Sequence, residues 1–382
     1  QRLRELGVHA VVGQRPDGAA GADQVVISQA IRPENPELAG AVARGLPIYH
    51  RSQLLAAILA DQRRIAVTGT HGKSTATAML GHVLTQCGYD PVVIVGGDAP
   101  GLPGGNYRLG AGGLAVFEAC ESDGSFLRYG PLSALITNIE PDHLNEHGTF
   151  ERLVQTFREF IALIPGDGFL VYGADCPTLV ELAAAARSRR VSFGLADGAD
   201  LSAAAIDERQ FGVRFQVLVN GRPGPCAQLR VPGVHNVTNA LGVMAAAREL
   251  GVAFVDAAQA LADFRGVGRR FELIGQFRGA LVVDDYAHHP TEVAATLAAA
   301  RDGFDRRIVA VFQPHLFSRT RDFADGFARA LTAADVVLIN AIYPAREDPI
   351  PGVTAAMVAD RLRALAPDRE VLYPVSYTHL RA

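Results

Sequence analysis

The sequence is poor in several features that would each indicate a class of protein. Only one lysine, Lys73, is present among 36 basic residues, and 40 acidic residues bring the net charge to −4. Without an excess of positive charge, the chain has no electrostatic basis for sequence-independent binding to DNA or RNA. We therefore expect no nucleic-acid partner and expect any phosphate to be bound at a local site.

Cysteine and long apolar runs are also scarce. The apolar residues form runs such as LAVF and GFLVY, far shorter than the roughly 18 residues that cross a bilayer, so we expect no membrane insertion. The first residues lack the basic segment, apolar segment and small-residue cleavage site that follow one another in a signal peptide. The cysteines are widely spaced without a C-x-x-C pair, which favours reduced thiols in a cytoplasmic protein. They are Cys87, Cys120, Cys176 and Cys226.

Short apolar runs alternate with helical patterns along almost the whole chain, which predicts an α/β fold of parallel sheets covered by helices. A turn-rich stretch at 197–232 predicts an antiparallel excursion, and the pattern places a domain boundary near Gly268. One helix is expected to begin with Ser52 as its cap. The predicted strands are 24–28, 46–50, 65–68, 114–117, 134–138, 280–284 and 307–312, and the predicted helices are 36–44, 52–60, 150–163, 236–250 and 290–301.

The strongest local motif is IAVTGTHGKST at 65–75, where a strand runs through a glycine loop into a helix. Gly69 and Gly72 would let backbone N–H groups approach phosphates, and Lys73 would reach the β and γ oxygens. Ser74 would bind Mg²⁺. Only two residues separate the glycines, fewer than in the general phosphate-loop pattern. The position of the sole lysine nevertheless favours nucleotide binding over a simple glycine turn.

A magnesium nucleotide site also needs oxygen or imidazole ligands near the strand ends. Candidates are Glu118, Glu121, Asp123, Asp142 and His143. Glu118 closes the run LAVFE, whereas Asp142 and His143 follow the run ALITNIEP, so we expect two neighbouring strands to direct them to one metal cluster. Acids after strands are as often solvated turn residues, and each is weak evidence alone.

The string HLNEH at 143–147 fits the H-x-x-E-H pattern of inverted zinc peptidases. That chemistry requires both histidines on one face of a regular helix. Pro141 and Gly148 bracket the string and predict a loop instead, so we reject zinc proteolysis.

Two further clusters follow predicted strands in the last third of the chain, DDYAHHPTE at 284–292 and FQPHLFSRTRD at 312–322. The carboxyl edge of a sheet is where open α/β folds bind ligands. Arg319 and Arg321 could hold a carboxylate through bidentate hydrogen bonds. His288, His289 and His315 could orient a ligand or titrate.

Taken together, seven strings resemble the Mur ligase family, in order, between about residues 3 and 373: GTHGKST, FEACESDGSF, TNIEPDHLNEHGTF, GVHNVTNAL, FRGVGRRFE, DDYAHHPTE and FQPHLFSRTRD. The resemblance implies a three-domain protein with a partial N-terminal Rossmann-like domain, a central P-loop ATPase domain and a partial C-terminal Rossmann-like domain. We expect a UDP-sugar-binding part at 1–61, ATP binding at 62–268, an amino-acid-binding part at 269–374 and a foreign tail at 375–382.

Within the family, the strings are most similar to the branch that joins L-alanine to the lactyl carboxylate of UDP-N-acetylmuramate. That reaction uses ATP to make an acyl phosphate during peptidoglycan precursor synthesis. The branch that recycles whole tripeptides is the second possibility. A nucleotide-binding module without ligase activity is an alternative of another class, whereas a P-loop kinase or transport ATPase would leave the two downstream clusters unexplained.

The resemblance also implies roles for individual residues. Asn239 would face the adenine, Arg270 the phosphates and Asp285 the ribose, beside a phosphate loop of Gly69, Thr70, His71, Gly72, Lys73, Ser74 and Thr75. The metal ligands would be Ser74, Glu118 and His143. The catalytic residues would be Lys73, Glu118, His143, His288 and Arg319, of which His288 and Arg319 also line the amino-acid pocket. The remaining sugar-nucleotide contacts would be Ser28, Ala30, Asn35 and His50.

Some positions depart from the family pattern. Cys120 stands where Asp is usual, Asn145 where Asp is common and Leu316 where many members have Arg. Several relatives carry a carbamoylated lysine, which this chain lacks because its one lysine belongs to the phosphate loop. The resemblance starts after the family's first glycine-rich loop and stops near Pro374, so we expect this chain alone not to be a competent ligase, although its parent gene product should be one.

Overall fold

The computed structural model describes residues 2–142, 147–345 and 347–375, and in these ranges helices and strands alternate. The helices are α1 (Arg2–Glu5), α2 (Pro36–Ala43), α3 (Arg51–Ile58), α4 (Lys73–Gln86), α5 (Phe150–Ala162), α6 (Pro177–Ala184), α7 (Val234–Glu249), α8 (Phe254–Leu261), α9 (Pro290–Gly303), α10 (Phe317–Leu331) and α11 (Ala356–Leu365). The strands of the first half are β1 (Val25–Ile27), β2 (Ile48–His50), β3 (Arg63–Thr68), β4 (Val92–Ile94), β5 (Tyr107–Arg108), β6 (Leu114–Glu118), β7 (Ser133–Ile136), β8 (Phe169–Gly173) and β9 (Arg189–Phe193). Those of the second half are β10 (Leu201–Arg209), β11 (Gly212–Val219), β12 (Arg222–Leu229), β13 (Glu272–Phe277), β14 (Ala280–Asp284), β15 (Val309–Phe312), β16 (Val336–Asn340) and β17 (Glu370–Val375).

A ten-stranded sheet forms the centre of the molecule, in the order β12-β11-β10-β9-β8-β7-β3-β6-β4-β5. In the part of the sheet that reads β9-β8-β7-β3-β6-β4, all neighbouring strands are parallel. β3 leads to β4 and β6 on one side and is flanked by β7 on the other, so the chain changes direction across the sheet at β3. In open α/β sheets the crevice beyond such a switch point binds ligands, and the glycine loop follows β3 directly.

Helices cover both faces of this sheet, as a buried parallel sheet requires. One face packs on α4, α7 and α8, and the other packs on α5 and α6. Two glycines allow the close approach of helix to sheet: a Cβ on Gly81 of α4 would lie 2.7 Å from the side chain of Val93, and one on Gly242 of α7 would lie 2.7 Å from the ring of Phe193. The α/β fold of parallel strands is therefore confirmed.

The predicted antiparallel excursion is present as β10, β11 and β12, which pair antiparallel and extend the central sheet. Two smaller units flank the central one. In the N-terminal unit β1 pairs with β2 in parallel, and the C-terminal unit contains the β13–β14 hairpin and the parallel strands β15, β16 and β17. In the described residues no helix is long and apolar enough to cross a membrane.

Two local expectations were wrong. The helix after β2 begins at Arg51 rather than after a Ser52 cap, because the His50 side chain accepts from Ser52 N–H while Gln53 accepts from His50 N–H. In addition, β6 and β7 are not neighbours, since β3 lies between them. The other predicted elements agree with the observed ones to within about two residues. Part of the HLNEH string, residues 143–146, lies outside the described residues.

Candidate active site

The phosphate loop connects the end of β3 to the start of α4. Gly69 and Gly72 both have positive φ, +129° and +82°, which favours glycine. A Cβ on Gly69 would lie 2.2 Å from the Thr137 hydroxyl oxygen, and one on Gly72 would lie 2.5 Å from the Asn239 amide oxygen. Neighbouring elements therefore press against the loop, and α4 directs its N-terminal N–H groups to the site.

Lys73 is buried and fully satisfied by protein groups. Its Nζ donates to Gly69 O at 2.6 Å, to Thr70 O at 2.9 Å and to the carboxylate of Glu121 at 3.0 Å. Burial lowers the pKa of the ammonium, but Glu121 together with Cys120 and Glu118 raises this pKa above its ordinary value. The loop thus keeps a permanent positive charge beside the site.

A cavity of about 210 Å³ collects most of the residues predicted to bind the nucleotide. Asn239 comes from α7 of the central unit, whereas Arg270 and Asp285 come from the C-terminal unit. Asp285 accepts from Phe271 N–H at 2.9 Å and from Ala287 N–H at 2.8 Å, and burial raises its pKa. The predicted residues that line this cavity are His71, Gly72, Ser74, Thr75, Asn239, Arg270 and Asp285.

A second, larger cavity of about 760 Å³ lies between all three units. It brings together the phosphate loop, the end of β6, the start of α10 and the loop after β1. Glu118 is held at its rim by Gly96 N–H, which donates to Oε2 at 2.7 Å. Among the predicted residues, it is lined by Ala30, Thr70, Gly72, Lys73, Ser74, Glu118, Arg270, His288 and Arg319.

Arg319 forms a buried contact between the central and C-terminal units. One guanidinium nitrogen donates to Asp142 Oδ1 at 2.7 Å, and another lies 3.3 Å from His315 Nδ1. Arg319 and Asp142 are 6% and 4% exposed. The pairing leaves part of the five-donor guanidinium fork for a ligand in the cavity.

His288 lies in the same cavity in its neutral form. Burial lowers the pKa of His288. The carboxylate of Glu292 opposes this shift, whereas the Arg319 guanidinium adds to it. Nδ1 is 2.7 Å from Tyr286 O. Since a carbonyl oxygen only accepts, Nδ1 carries the hydrogen and Nε2 keeps its lone pair for a ligand.

The four residues predicted near the sugar nucleotide are placed differently from one another. Ala30 lines the larger cavity, and Ser28 Oγ accepts from its N–H at 3.3 Å. Asn35 caps α2 by accepting from Glu37 N–H, and His50 caps α3 and lies 3.5 Å from the Asp123 carboxylate. His143 lies outside the described residues. The roles of all four, like that of His143, stay predictions.

Sequence reasoning left several residues in and behind the two cavities out of its final set. Glu121 and Asp142 were weighed only as metal ligands, whereas in the structure each is the buried partner of a cation. Glu292 accepts from His288 N–H at 3.0 Å and lies 3.5 Å from Arg270. Glu292 follows His288 by four residues at the start of a helix. This spacing could have indicated that the two residues are neighbours. Further residues that line the larger cavity but were not predicted as site residues are Gln29, Arg32, Tyr286 and Glu347.

Comparison with known proteins explains why these elements meet at one place. Three family models match consecutive parts of the chain: "Mur ligase family, catalytic domain" at 1–63, "Mur ligase middle domain" at 67–247 and "Mur ligase, glutamate ligase domain" at 269–379. A curated relative from Renibacterium salmoninarum, named UDP-N-acetylmuramate--L-alanine ligase, is 48% identical over 373 residues, which are 96% of this chain and 80% of that protein. The chain belongs to the Mur ligase family.

Solved structures agree with this assignment. The UDP-N-acetylmuramate-alanine ligase of Thermotoga maritima has a TM-score of 0.82 and 32% identity, and the match covers 98% of this chain and 81% of that one. A murein peptide ligase from Psychrobacter arcticus has a TM-score of 0.71 and 27% identity, over 99% and 83% of the two chains. The three-domain Mur ligase architecture and its ATP-dependent amide-forming chemistry therefore apply here.

Proposed function

We propose that this protein joins L-alanine to the lactyl carboxylate of UDP-N-acetylmuramate, with ATP, in peptidoglycan precursor synthesis. The observation that carries the proposal is the larger cavity, because it holds the phosphate-loop lysine and a strand-end carboxylate of the central unit together with a buried arginine of the C-terminal unit. The curated relatives with this activity support the same choice. We keep the division at 1–61, 62–268 and 269–374 as part of the proposal.

In the first step, a carboxylate oxygen of the sugar nucleotide attacks the γ-phosphorus of ATP, which gives an acyl phosphate and ADP. Two anions must be aligned and the charge on the transferred phosphoryl group must be balanced. Lys73 supplies a fixed positive charge, and the N–H groups at the start of α4 supply positive potential. For this, Lys73 exchanges some of its contacts with loop carbonyls and Glu121 for phosphate oxygens.

The donors beside Lys73 suit Mg²⁺, which prefers oxygen ligands. Glu118 Oε2 accepts from Gly96 N–H, and its second oxygen remains for a cation at the cavity rim. Ser74 contributes a hydroxyl at the helix start. We propose that Ser74 and Glu118, with His143, hold the ion, which when bound would neutralise phosphate charge.

In the second step, the amine of alanine attacks the acyl carbon, phosphate leaves and the amine loses a proton. Arg319 is placed to hold the alanine carboxylate with the donors that Asp142 does not use. Neutral His288 can accept the amine proton on Nε2. Leu316 lines the same cavity with φ +70°. The family resemblance implies arginine at this position in many members, so we assign the alanine carboxylate to Arg319. A cytoplasmic location follows from the proposal, since ATP and UDP-linked precursors are cytoplasmic.

The test is phosphate release from Mg-ATP with UDP-N-acetylmuramate, with and without L-alanine, for this chain and for the complete product of its gene. Release that requires both substrates and is lost in Lys73→Ala supports the proposal. Release that responds to a tripeptide instead of alanine would favour the activity named in the murein peptide ligase relative. Nucleotide binding without substrate-dependent release by the complete product would indicate a non-catalytic module.

A further inference from the structure

A cluster of two histidines and one glutamate lies where the phosphate loop meets the C-terminal unit, apart from the residues proposed for Mg²⁺. The cluster consists of His71, Glu140 and His289, and one potential ligand atom of each lies within 4.8 Å of the others. His71 Nε2 is 3.5 Å from Glu140 Oε2, and His289 Nδ1 is 3.9 Å from the same oxygen. From this geometry we propose that the cluster is a site for Zn²⁺ or a similar divalent transition metal.

The remaining nitrogen of each histidine is already held by an acceptor. His71 Nδ1 lies 3.2 Å from Glu292 Oε1, and His289 Nε2 lies 3.2 Å from Pro141 O. Metal-binding histidines almost always use their second nitrogen in this way, with a carboxylate or a backbone carbonyl that fixes the ring. The two rings are therefore oriented so that the other nitrogens converge on Glu140.

The remaining hydrogen bonds of the proposed ligand atoms are either long or compatible with a bound metal. His71 Nε2 is buried and has no hydrogen-bond partner among the described residues. His289 Nδ1 accepts a long bond of 3.3 Å from Thr291 N–H, which a metal would replace. Glu140 accepts from Thr291 Oγ1 at 2.6 Å, as carboxylate ligands commonly do. Its side chain is 34% exposed and gives an ion access from solvent.

The donor set selects the kind of ion. Two imidazoles and one carboxylate are typical of zinc and its first-row neighbours, whereas Mg²⁺ and Ca²⁺ take oxygen ligands. Three protein ligands leave a fourth position for water. Around tetrahedral Zn²⁺ ligand atoms are about 3.3 Å apart, so only small side-chain movements are needed.

The site would join two units at the phosphate loop. His71 belongs to the loop and Glu140 follows β7, whereas His289 precedes α9 of the C-terminal unit. A bound ion would hold these units together at the wall of the nucleotide cavity, to which His71 and Glu140 contribute. The inference does not rest on the proposed ligase function, because it concerns only the ligand geometry.

Binding is tested directly with Co²⁺, whose visible absorption reports coordination, without nucleotide or substrate. We expect one Co²⁺ per chain with the intense spectrum of four-coordinate Co²⁺, displaced by Zn²⁺. Glu140→Gln and His289→Asn should abolish the spectrum, and Glu292→Gln should weaken affinity roughly tenfold to a hundredfold. His9→Ala removes an exposed histidine elsewhere and should change nothing.

The affinity should also rise with pH, because the ion displaces protons from imidazole. Thermal melts of each variant establish folding, and Glu140→Gln decides the matter if His289→Asn fails to fold. A weak spectrum of six-coordinate Co²⁺, or an intense spectrum that survives both ligand variants, would overturn the proposal and leave His71 as the centre of a purely ionic contact.

Discussion

At the residue scale, Lys73, which lines the larger cavity, forms a largely buried ion pair with Glu121. Removing one member of such a pair leaves an uncompensated charge and costs about 3–5 kcal/mol. We expect Lys73→Met to lower the free energy of unfolding by about this amount and to reduce kcat at least roughly a hundredfold, as loss of a charge-stabilising donor does. Chemical denaturation and phosphate release measure the two effects.

The double variant Lys73→Met/Glu121→Gln separates these effects. Without the lone carboxylate, most of the lost stability should return, while activity should stay at the level of the single variant. Recovery of neither quantity would show that Glu121 is not the partner that matters. Lys73→Arg keeps the charge and should retain the stability better than Lys73→Met.

The histidine of the phosphate loop predicts a pH dependence of stability. Burial alone would lower the pKa of His71, but the flanking carboxylates Glu140 and Glu292 raise it to about 9. A raised pKa adds stability that is complete below the unfolded value of about 6.5 and is lost as the pH rises through about 9. The other charged or titratable groups that face this network are His235, His288, His289 and Arg270.

We therefore expect the native protein to exceed His71→Gln in stability by at most about 3 kcal/mol at pH 6, from roughly 1.4 kcal/mol per pKa unit. The difference should shrink between about pH 7 and pH 10. Denaturant titrations of both proteins across this range, in metal-free buffer, measure it. A difference that does not change with pH would show that His71 contributes by packing rather than by charge.

Sequence reasoning reached Lys73, Ser74 and Glu118 because their positions relative to a strand or glycine loop limit what they do. It did not reach the pairing of Lys73 with Glu121 or of Arg319 with Asp142. Those partners are 48 and 177 residues apart, and burial selects them. A local sequence pattern does not indicate which acidic residue pairs with a given cationic residue in the folded protein.

At the scale of elements, the start of α4 depends on a glycine that contacts α7. Gly72→Ala would place a Cβ 2.5 Å from Asn239 Oδ1 in a residue with φ +82°. We expect a loss of roughly 2–4 kcal/mol in stability, from left-handed strain and the contact together, and weaker ATP binding. Thermal unfolding and nucleotide titration are the measurements.

Gly88 provides the matched control, since it lies just after the same helix with φ +84° and has no heavy atom within 4 Å of an added Cβ. Gly88→Ala should therefore cost only the backbone strain, roughly 1–2 kcal/mol. Equal losses in both variants would contradict the role of the Asn239 contact. ATP binding should be unchanged in Gly88→Ala.

Most elements could be predicted because the hydrophobic periodicity, the flanking turn residues and the length of each segment indicate the same element type. Of the two errors, one concerned a helix cap and the other concerned the order of strands in the sheet. The cap of α3 is a histidine rather than the expected serine, which side-chain preferences do not anticipate. The position of β3 between β6 and β7 depends on how crossovers are arranged and not on any one segment.

At the scale of the whole molecule, the central and C-terminal units share polar contacts beside the nucleotide cavity, in addition to the aromatic contacts of Phe211 with Phe271 and Phe304. Thr291 Oγ1 donates to Glu140, and Arg319 donates to Asp142, while the phosphate loop reaches Glu292 through His71. These contacts come from the phosphate loop, from the segment after β7 and from the starts of α9 and α10. The contacts that join the two units therefore also position residues of the candidate active site.

The Arg319–Asp142 pair makes this coupling measurable. Arg319→Met and Asp142→Asn should each lower stability by about 3–5 kcal/mol, because each removes the opposite charge from a buried ion pair. The double variant should recover most of this loss. In the complete gene product, Arg319→Met with or without Asp142→Asn should raise the KM for L-alanine while the Kd for ATP changes little, if the guanidinium binds the amino acid as proposed.

The exposed pair Arg230–Asp263, at 3.0 Å with side chains 59% and 69% exposed, is the control. Its double neutralisation should cost less than about 1 kcal/mol. If the Arg319→Met/Asp142→Asn protein were as unstable as the sum of its single variants, the two residues would act independently. If its KM for alanine were native, Arg319 would hold the units together without touching the substrate.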